Sequence, residues 1–271
     1  MKPVNGQLSI FDIVLEQPKE PPKVEPTIPP SPSDAEHLNR SPFIKTTVAE
    51  IIKRIDRASY RMSKSKLISD VFECGAIAIS NKFDLPQFDE REKRYLQIIN
   101  SYQPVERELI AEIFGMIFAL LTSVVYDDGA FNDYLGELFM QCSQGEKNAG
   151  QFFTPYHVSN LMAKMTITDD KIKRDEIITI YEPCCGSAGM VLASMDVLKN
   201  DYGVNYARDC FVVCEDIDIR CVHMAYLQLS LAGVPAIVKH QNSLSRDLWS
   251  VWRTPAYLMQ YLRFRKYEGL N

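Results

Sequence analysis

Apolar positions follow two different rhythms along this chain. From residue 43 to about 148 they recur at helical spacing. FIKTTVAEIIKRIDRASYRM places Val48, Ile51, Ile52 and Ile55 on one face. KSKLISDVFECGAIAIS is a second predicted helix, and PVERELIAEIFGMIFALLTSVV a third, opened by Pro104 where a missing N–H costs nothing. FNDYLGELFMQC is a fourth, ending before the polar SQGEKNAG. Strand signal is sparse in this half. From Gly150 the rhythm changes. YHVSNLMAKM predicts a helix with Thr154 as its N-cap and Pro155 in its first turn. Short solid apolar runs then alternate with helical stretches. Ile177–Tyr181 is a strand, EPCCGSAG a turn and MVLASMDVLKN a helix. CFVVCED is a second strand, IRCVHMAYLQLSLAG a helix, and PAIVKH a third strand running into QNSL. Strand–helix–strand–helix–strand at these lengths predicts an α/β fold with a parallel, doubly wound sheet. Arg253 to Asn271, rich in Tyr, Leu and Arg, is expected to be helical.

Composition adds a tail and some exclusions. Eight of the 15 prolines fall between Gln17 and Pro42, so residues 1–42 are expected to form a disordered, Pro-rich tail. It carries one apolar island, GQLSIFDIVL (Gly6–Leu15). The expected organisation is therefore tail 1–42, helical region 43–148 and α/β domain 149–271. The longest apolar run, Ile113–Val125, is too short to span a bilayer and reads as a buried core helix, so no membrane partner is expected. Apolar content of 46% and charged content of 24% suit a soluble globular protein. A net charge of −5 excludes a strongly basic overall footprint for nucleic acid, though not a local basic patch. Seven cysteines, an odd number with no secretory signal ahead of them, point to a reduced, cytoplasmic setting.

The candidate chemistry centres on YEPCCGSAGM (Tyr181–Met190). As a metal site it fails on spacing. Cys184 and Cys185 are neighbours whose side chains diverge. Cys210 and Cys214 lie four apart on a predicted strand, roughly 13 Å end to end, too far to share a zinc whose bonds to sulfur are about 2.3 Å. No C-x-x-C occurs, and no metal is expected. As a phosphate cradle it lacks both G-x-x-x-x-G-K-[ST] and G-x-G-x-x-G. The first strand–turn–helix of such a sheet still lies at the carboxyl ends of the strands, where ligands bind. Asp216, at the end of the next strand, is placed to accept hydrogen bonds from ribose hydroxyls, which suits an adenosine-containing ligand without a pyrophosphate. The alternative is that Glu215, Asp216 and Asp218 merely begin the next helix, where acids suit the dipole.

Three segments together resemble the N6-adenine DNA methyltransferases of the type I restriction–modification modification-subunit family. They are GQFFTPYHVSNLMAKM (Gly150–Met165), EPCCGSAGM (Glu182–Met190) and CEDIDIRCVHMAYLQLSLAG followed by HQNSL. DYLGELF resembles the end of that family's helical N-terminal region. The resemblance implies a Rossmann-like methyltransferase domain and S-adenosylmethionine as cofactor. It places Phe153, Thr154 and Pro155 at the methionine end. Glu182, Cys184, Gly186, Ser187 and Gly189 form the turn that approaches the amino-acid moiety, where small residues are needed. It sets Asp216 on the ribose, Ile217 on the adenine face and Asn242 at the adenine edge. Ala188 departs from the family's usual Gly. The implied partners are double-stranded DNA and a specificity subunit.

One motif is missing. The family grips the flipped base with Asn-Pro-Pro-aromatic, and this chain has no such tetrapeptide. Thr254-Pro255-Ala256-Tyr257 is a faint echo without the Asn, and its plain reading is a loop and helix start with aromatic packing. No catalytic residue is therefore assigned. Two functions stand: an adenine-N6 DNA methyltransferase with an atypical catalytic loop, or a non-catalytic module that keeps the cofactor pocket and serves DNA or replication partners. Finally, Gln7, Leu8, Ile10 and Phe11 resemble the QL-x-[LI]-F peptide by which bacterial DNA-processing proteins bind the replication sliding clamp. Apolar anchors on a disordered tail with a Pro-rich spacer suit that use. The alternative is a segment docking on its own domain.

Overall fold

The computed structural model describes residues 42–58, 63–126, 131–143, 152–172 and 176–267. Six helices come first: α1 (Pro42–Ala58), α2 (Lys64–Phe83), α3 (Phe88–Asn100), α4 (Pro104–Tyr126), α5 (Tyr134–Ser143) and α6 (Tyr156–Thr166). The sheet region follows as β1 (Ile178–Glu182), α7 (Gly189–Asn200), the short α8 (Tyr206–Asp209), β2 (Cys210–Asp216), α9 (Ile219–Leu231), β3 (Ala236–Gln241) and β4 (Leu248–Arg253). Two short helices, α10 (Pro255–Met259) and α11 (Tyr261–Phe264), close the order.

The strand order is β1-β2-β3-β4. β1, β2 and β3 are parallel, joined by α7 and α9 as expected for βαβ units. β4 departs from the all-parallel expectation: it turns back after the Asn242–Asp247 loop and pairs antiparallel with β3. Six residues are too few for a crossover, so the returning strand can only run antiparallel. Among the described residues β1 is paired on one side only, and α6 turns Val158, Leu161, Met162 and Met165 to solvent.

A single core runs from the helical region into one face of the sheet. Ile51 and Ile55 of α1, Leu67 and Phe72 of α2, Ile113 and Ile117 of α4 and Leu138 of α5 are buried in it. They share it with Val212, Cys214 and Val238 of the sheet. On the opposite face Phe211, Val213 and Ile237 pack with Tyr257 and Phe264, and Phe211 stacks on Phe264 at 5.7 Å. Alternate residues of β2 thus serve alternate cores, the pattern of a strand buried on both faces.

Buried polar contacts lock helices to sheet. The Arg91 guanidinium of α3 lies 3.9 Å from the Trp252 ring centroid of β4 and donates to the Val251 carbonyl at 2.7 Å. Asp84 and Ser80 also face it. His223 of α9 meets the same indole edge-on at 4.9 Å. Complete burial pushes its pKa down to about 3, so it is neutral in the fold.

Two local expectations change. Thr154 does not cap α6: Pro155 occupies the N-cap with extended backbone (φ −55°, ψ 136°) and no side-chain cap bond forms. A proline at that position sets the entry angle by itself. Helix α3 was not legible as a helix, because only Arg91, Ile98 and Ile99 of its 13 residues are buried.

Candidate cofactor site

The site forms where β1, β2 and β3 end. After Glu182 the chain makes a tight loop, Pro183–Ala188, before entering α7. Gly186 (φ 53°) and Ala188 (φ 75°) both adopt left-handed backbone. Gly suits this, whereas for Ala it costs about 1 kcal/mol or more. The loop is tied to β2 by its backbone: Cys185 N donates to the Glu215 carbonyl at 2.9 Å. Asp216 adds a second tie. Its Oδ2 accepts from Gly186 N at 2.8 Å and its Oδ1 from Asp218 N at 2.8 Å. Burial raises the Asp216 pKa, and those two amide bonds act against the rise. The carboxylate therefore joins the end of β2 to the turn after β1 and stays only partly buried.

The other predicted residues converge on this point. Phe153 lies against Gly186, where an added Cβ would sit 3.0 Å from its ring. Phe139 of α5 backs Phe153 edge-on at 6.0 Å. Thr154 and Pro155 are exposed beside it. Glu182 accepts from Cys184 N at 3.2 Å, which orients its carboxylate over the turn. Ile217 projects 62% exposed at the rim, and its carbonyl lies 3.1 Å from His240 Nε2. The His240 ring packs on Trp249 at 4.6 Å. Ser243 Oγ donates to the Pro183 carbonyl, bringing the loop after β3 onto the same crevice. The Asn242 side chain is already used by that loop: its Oδ1 accepts from Leu244 N at 2.9 Å and Ser245 N at 3.1 Å. Only its amide NH2 is left for a ligand.

Other residues are turned elsewhere. Ser187 is 1% exposed and donates inward to Asp133 Oδ2 at 2.5 Å. Its side chain belongs to the interior, leaving backbone to the crevice. Cys185, Cys210 and Cys214 are buried and only Cys184 of the turn is exposed. The hydrogen bond with the facing Cys214 thiol, together with burial, holds the Cys185 pKa high, so it stays a thiol. Among the described residues no group of three His, Cys, Asp or Glu side chains converges as a metal site. Thr254 and Tyr257 are fully buried at the far ends of the strands: Thr254 Oγ1 accepts from Ala236 N and Tyr257 N and donates to the Val234 carbonyl. They are core, as the plain reading of that stretch expects. Gln7, Leu8, Ile10 and Phe11 lie outside the described residues.

Sequence reasoning missed two polar groupings of the neighbourhood. Glu215, fully buried on the other face of the sheet, pairs with Arg246 at 3.2 Å and Lys239 at 3.8 Å, and Arg246 also reaches Tyr181 Oη at 3.2 Å. Asp133 and Gln228 form a buried polar cluster beneath the turn. The only signal for Asp133 was its place directly ahead of YLGELF, and nothing in the sequence shows which loop it meets.

A parallel sheet with its first strand–turn–helix braced by the acid ending the second strand is a nucleoside-cofactor architecture. The family model described as N-6 DNA methylase matches residues 130–266, about half of the 271-residue chain. The chain belongs to the N-6 DNA methylase family. Two solved structures are similar in part. One, from Listeria monocytogenes, is described as a class I S-adenosylmethionine-dependent methyltransferase. It has 16% identity and a TM-score of 0.36, with 66% of this chain and 54% of that one covered. The other is a type I restriction–modification system methyltransferase subunit from Streptococcus thermophilus. It has 15% identity and a TM-score of 0.37, with 75% and 57% covered. The chain thus spans little more than half the length of each. No curated protein matches it.

Family membership implies S-adenosylmethionine as the cofactor. The crevice fits it on three counts. Gly186 leaves no room for a side chain between turn and Phe153, Asp216 keeps acceptor capacity at the strand end, and Ile217 offers an exposed apolar surface next to it.

Proposed function

We propose that this chain is an S-adenosylmethionine-binding DNA methyltransferase-type protein directed at adenine N6. In this reading Phe153, Thr154 and Pro155 line the methionine end, and Glu182, Cys184, Gly186, Ser187 and Gly189 supply the turn around the amino-acid moiety. Ser187 contributes through its backbone. Asp216 accepts from the ribose hydroxyls, Ile217 packs on the adenine, and the Asn242 amide NH2 meets its edge. The observation that carries the reading is the Asp216 carboxylate, which braces the turn at Gly186 from the end of β2 and is only partly buried. The cofactor supplies an electrophilic methyl group, and the chain's part is to hold it at the open ends of the strands. Titrating the full chain with S-adenosylmethionine tests this: undetectable binding ends the cofactor assignment.

A second reading, cofactor binding without methyl transfer, is favoured by one observation. Thr254 and Tyr257 of the tetrapeptide that echoes the base-gripping motif are sealed in the core. Methyl incorporation into varied double-stranded DNA, with Asp216→Ala as control, separates the two. Incorporation that vanishes in the variant establishes the enzyme, and none in either protein, with binding intact, establishes the module.

Double-stranded DNA, a specificity subunit and a cytoplasmic setting belong to the same proposal. So does the sliding clamp, through Gln7, Leu8, Ile10 and Phe11, on the strength of the peptide's resemblance. Unchanged clamp binding after joint replacement of Leu8 and Phe11 by Ala would reject that partner. No helix among the described residues is long and apolar enough to cross a membrane.

A further inference from the structure

We infer that Asp133, at the entrance of α5 in the helical region, is the positioning residue that sets the conformation of the cofactor turn. The inference rests on the cofactor reading above for its consequence, but not for its geometry. Asp133 is almost wholly buried, and three donors converge on its carboxylate. Ser187 Oγ lies 2.5 Å from Oδ2, while Gln228 Nε2 at 2.9 Å and Gly136 N at 3.0 Å both meet Oδ1. Gln228 closes the ring. Its second N–H reaches the Ser187 carbonyl at 2.6 Å, and its Oε1 accepts from Leu135 N at 3.3 Å. Both the side chain and the backbone of Ser187 are thereby fixed from outside the turn.

Ser187 is the residue between the two left-handed positions, Gly186 and Ala188. A non-glycine residue persists in that region only where its surroundings over-determine it. Ala188 itself is held only through its backbone, its N–H donating to the Cys185 carbonyl at 2.8 Å and its carbonyl accepting from Leu192 N at 2.9 Å, and Asp133 and Gln228 add the side-chain hold on the residue between the two left-handed positions. The packing is tight enough to transmit displacement. A Cβ at Gly136 would overlap the Asp133 carboxylate and lie 2.6 Å from Ser187 Oγ, and one at Gly189 would sit 3.1 Å from Asp133 Oδ2. On the crevice side the same turn presents Gly186 N to Asp216. Asp133 and Asp216 therefore grip adjacent residues of the turn from opposite sides. Asp133 is buried beneath the turn and acts through Ser187, so shifts of α5 would reach the crevice by way of that residue.

The test pairs amide hydrogen exchange of the turn with titration by S-adenosylmethionine, on the full chain well below each variant's melting temperature. Asp133→Ala strands three donors. It should speed exchange of the Cys184–Gly189 amides in the free protein and weaken binding about tenfold or more. Ser187→Ala should do the same in smaller measure, and it decides the question where Asp133→Ala fails to fold. Asp133→Asn should restore both properties, because Oδ1 still accepts from Gly136 and Gln228 while Nδ2 donates to Ser187 Oγ. Leu67→Ala, a core change in α2 that removes none of the turn's hydrogen bonds, should lower stability with turn exchange and affinity unchanged. Turn exchange in Asp133→Ala and Ser187→Ala equal to that of Leu67→Ala overturns the inference, whatever the wild-type affinity. A wild-type chain that binds no cofactor overturns the cofactor reading alone, and the exchange arm still decides the role of Asp133.

Discussion

The loop after β1 and the loop after β3 leave the same edge of the sheet, yet they are built for different purposes. The first is held from three sides. Glu215 backbone anchors Cys185, Asp216 holds Gly186, and Asp133 with Gln228 holds Ser187. What remains turned outward is a crevice of small residues with an acid and an exposed Ile at its rim. The loop after β3 is organised mainly by its own Asn242, with outward ties from Ser243 to Pro183 and from Arg246 to Glu215. Asn242 spends its carbonyl oxygen on Leu244 and Ser245, the chain turns back as β4, and Thr254 and Tyr257 end in the core. Each loop carries one left-handed non-glycine residue, Ala188 in the first and Arg246 in the second, so strain alone does not distinguish them. The difference lies in what holds each: other elements grip three successive residues of the first loop, whereas the second leans mainly on its own Asn242, and the Thr254–Tyr257 stretch beyond β4 is ordinary packing.

Breaking the packing beyond β4 should cost stability alone. Tyr257→Ala removes a fully buried ring stacked near Phe211 and should destabilise the fold by about 3–5 kcal/mol in denaturant unfolding, with S-adenosylmethionine affinity unchanged at temperatures where the variant is folded. Breaking the first loop should cost binding. Asp216→Ala loses both amide anchors and the carboxylate acceptor at the strand end, and its dissociation constant should rise about a hundredfold by calorimetry. A pH series sharpens the contrast by probing the frame common to both. His223 is neutral when buried, with a pKa lowered to about 3 against about 6.5 in the unfolded chain. Its contribution is present above pH 6.5 and lost as pH falls toward 3, at up to about 1.4 kcal/mol per pH unit. His223→Phe should flatten the wild-type decline between pH 6.5 and 5, and an unchanged slope would assign that decline to other groups. The smallest effect is expected at Ala188. Ala188→Gly relieves left-handed strain but loosens the unfolded chain, for a net gain of about 0.5 kcal/mol in stability. Affinity for the cofactor should hold or improve.

How much of this was legible in the sequence follows from the range of the forces involved. The order of β1, α7, β2, α9 and β3 could be read because period and turn chemistry are local. The turn at Gly186 and Asp216 could be placed together because a parallel sheet puts its strand ends side by side, whereas Phe153 and Ile217 were placed by the family resemblance. β4 was not legible: LWSVWR alternates weakly, and its pairing is decided by the exposed edge of β3 and the cap of Arg91 on Trp252. α3 was missed because its single buried stripe carries an arginine, whose reason is an indole 161 residues further along the chain. Ser187 was read as part of the pocket because small residues in a turn all look alike. Its inward direction depends on Asp133, a partner 54 residues earlier.

The measurement that bears most directly on the central claim is calorimetric titration of the full chain and its Asp216→Ala variant with S-adenosylmethionine, at equal protein concentration and below both melting temperatures. The wild-type chain should bind one equivalent with saturable heat, and the variant should bind about a hundredfold more weakly. Equal binding by both proteins, or by neither, would contradict the assignment of this crevice as the cofactor site.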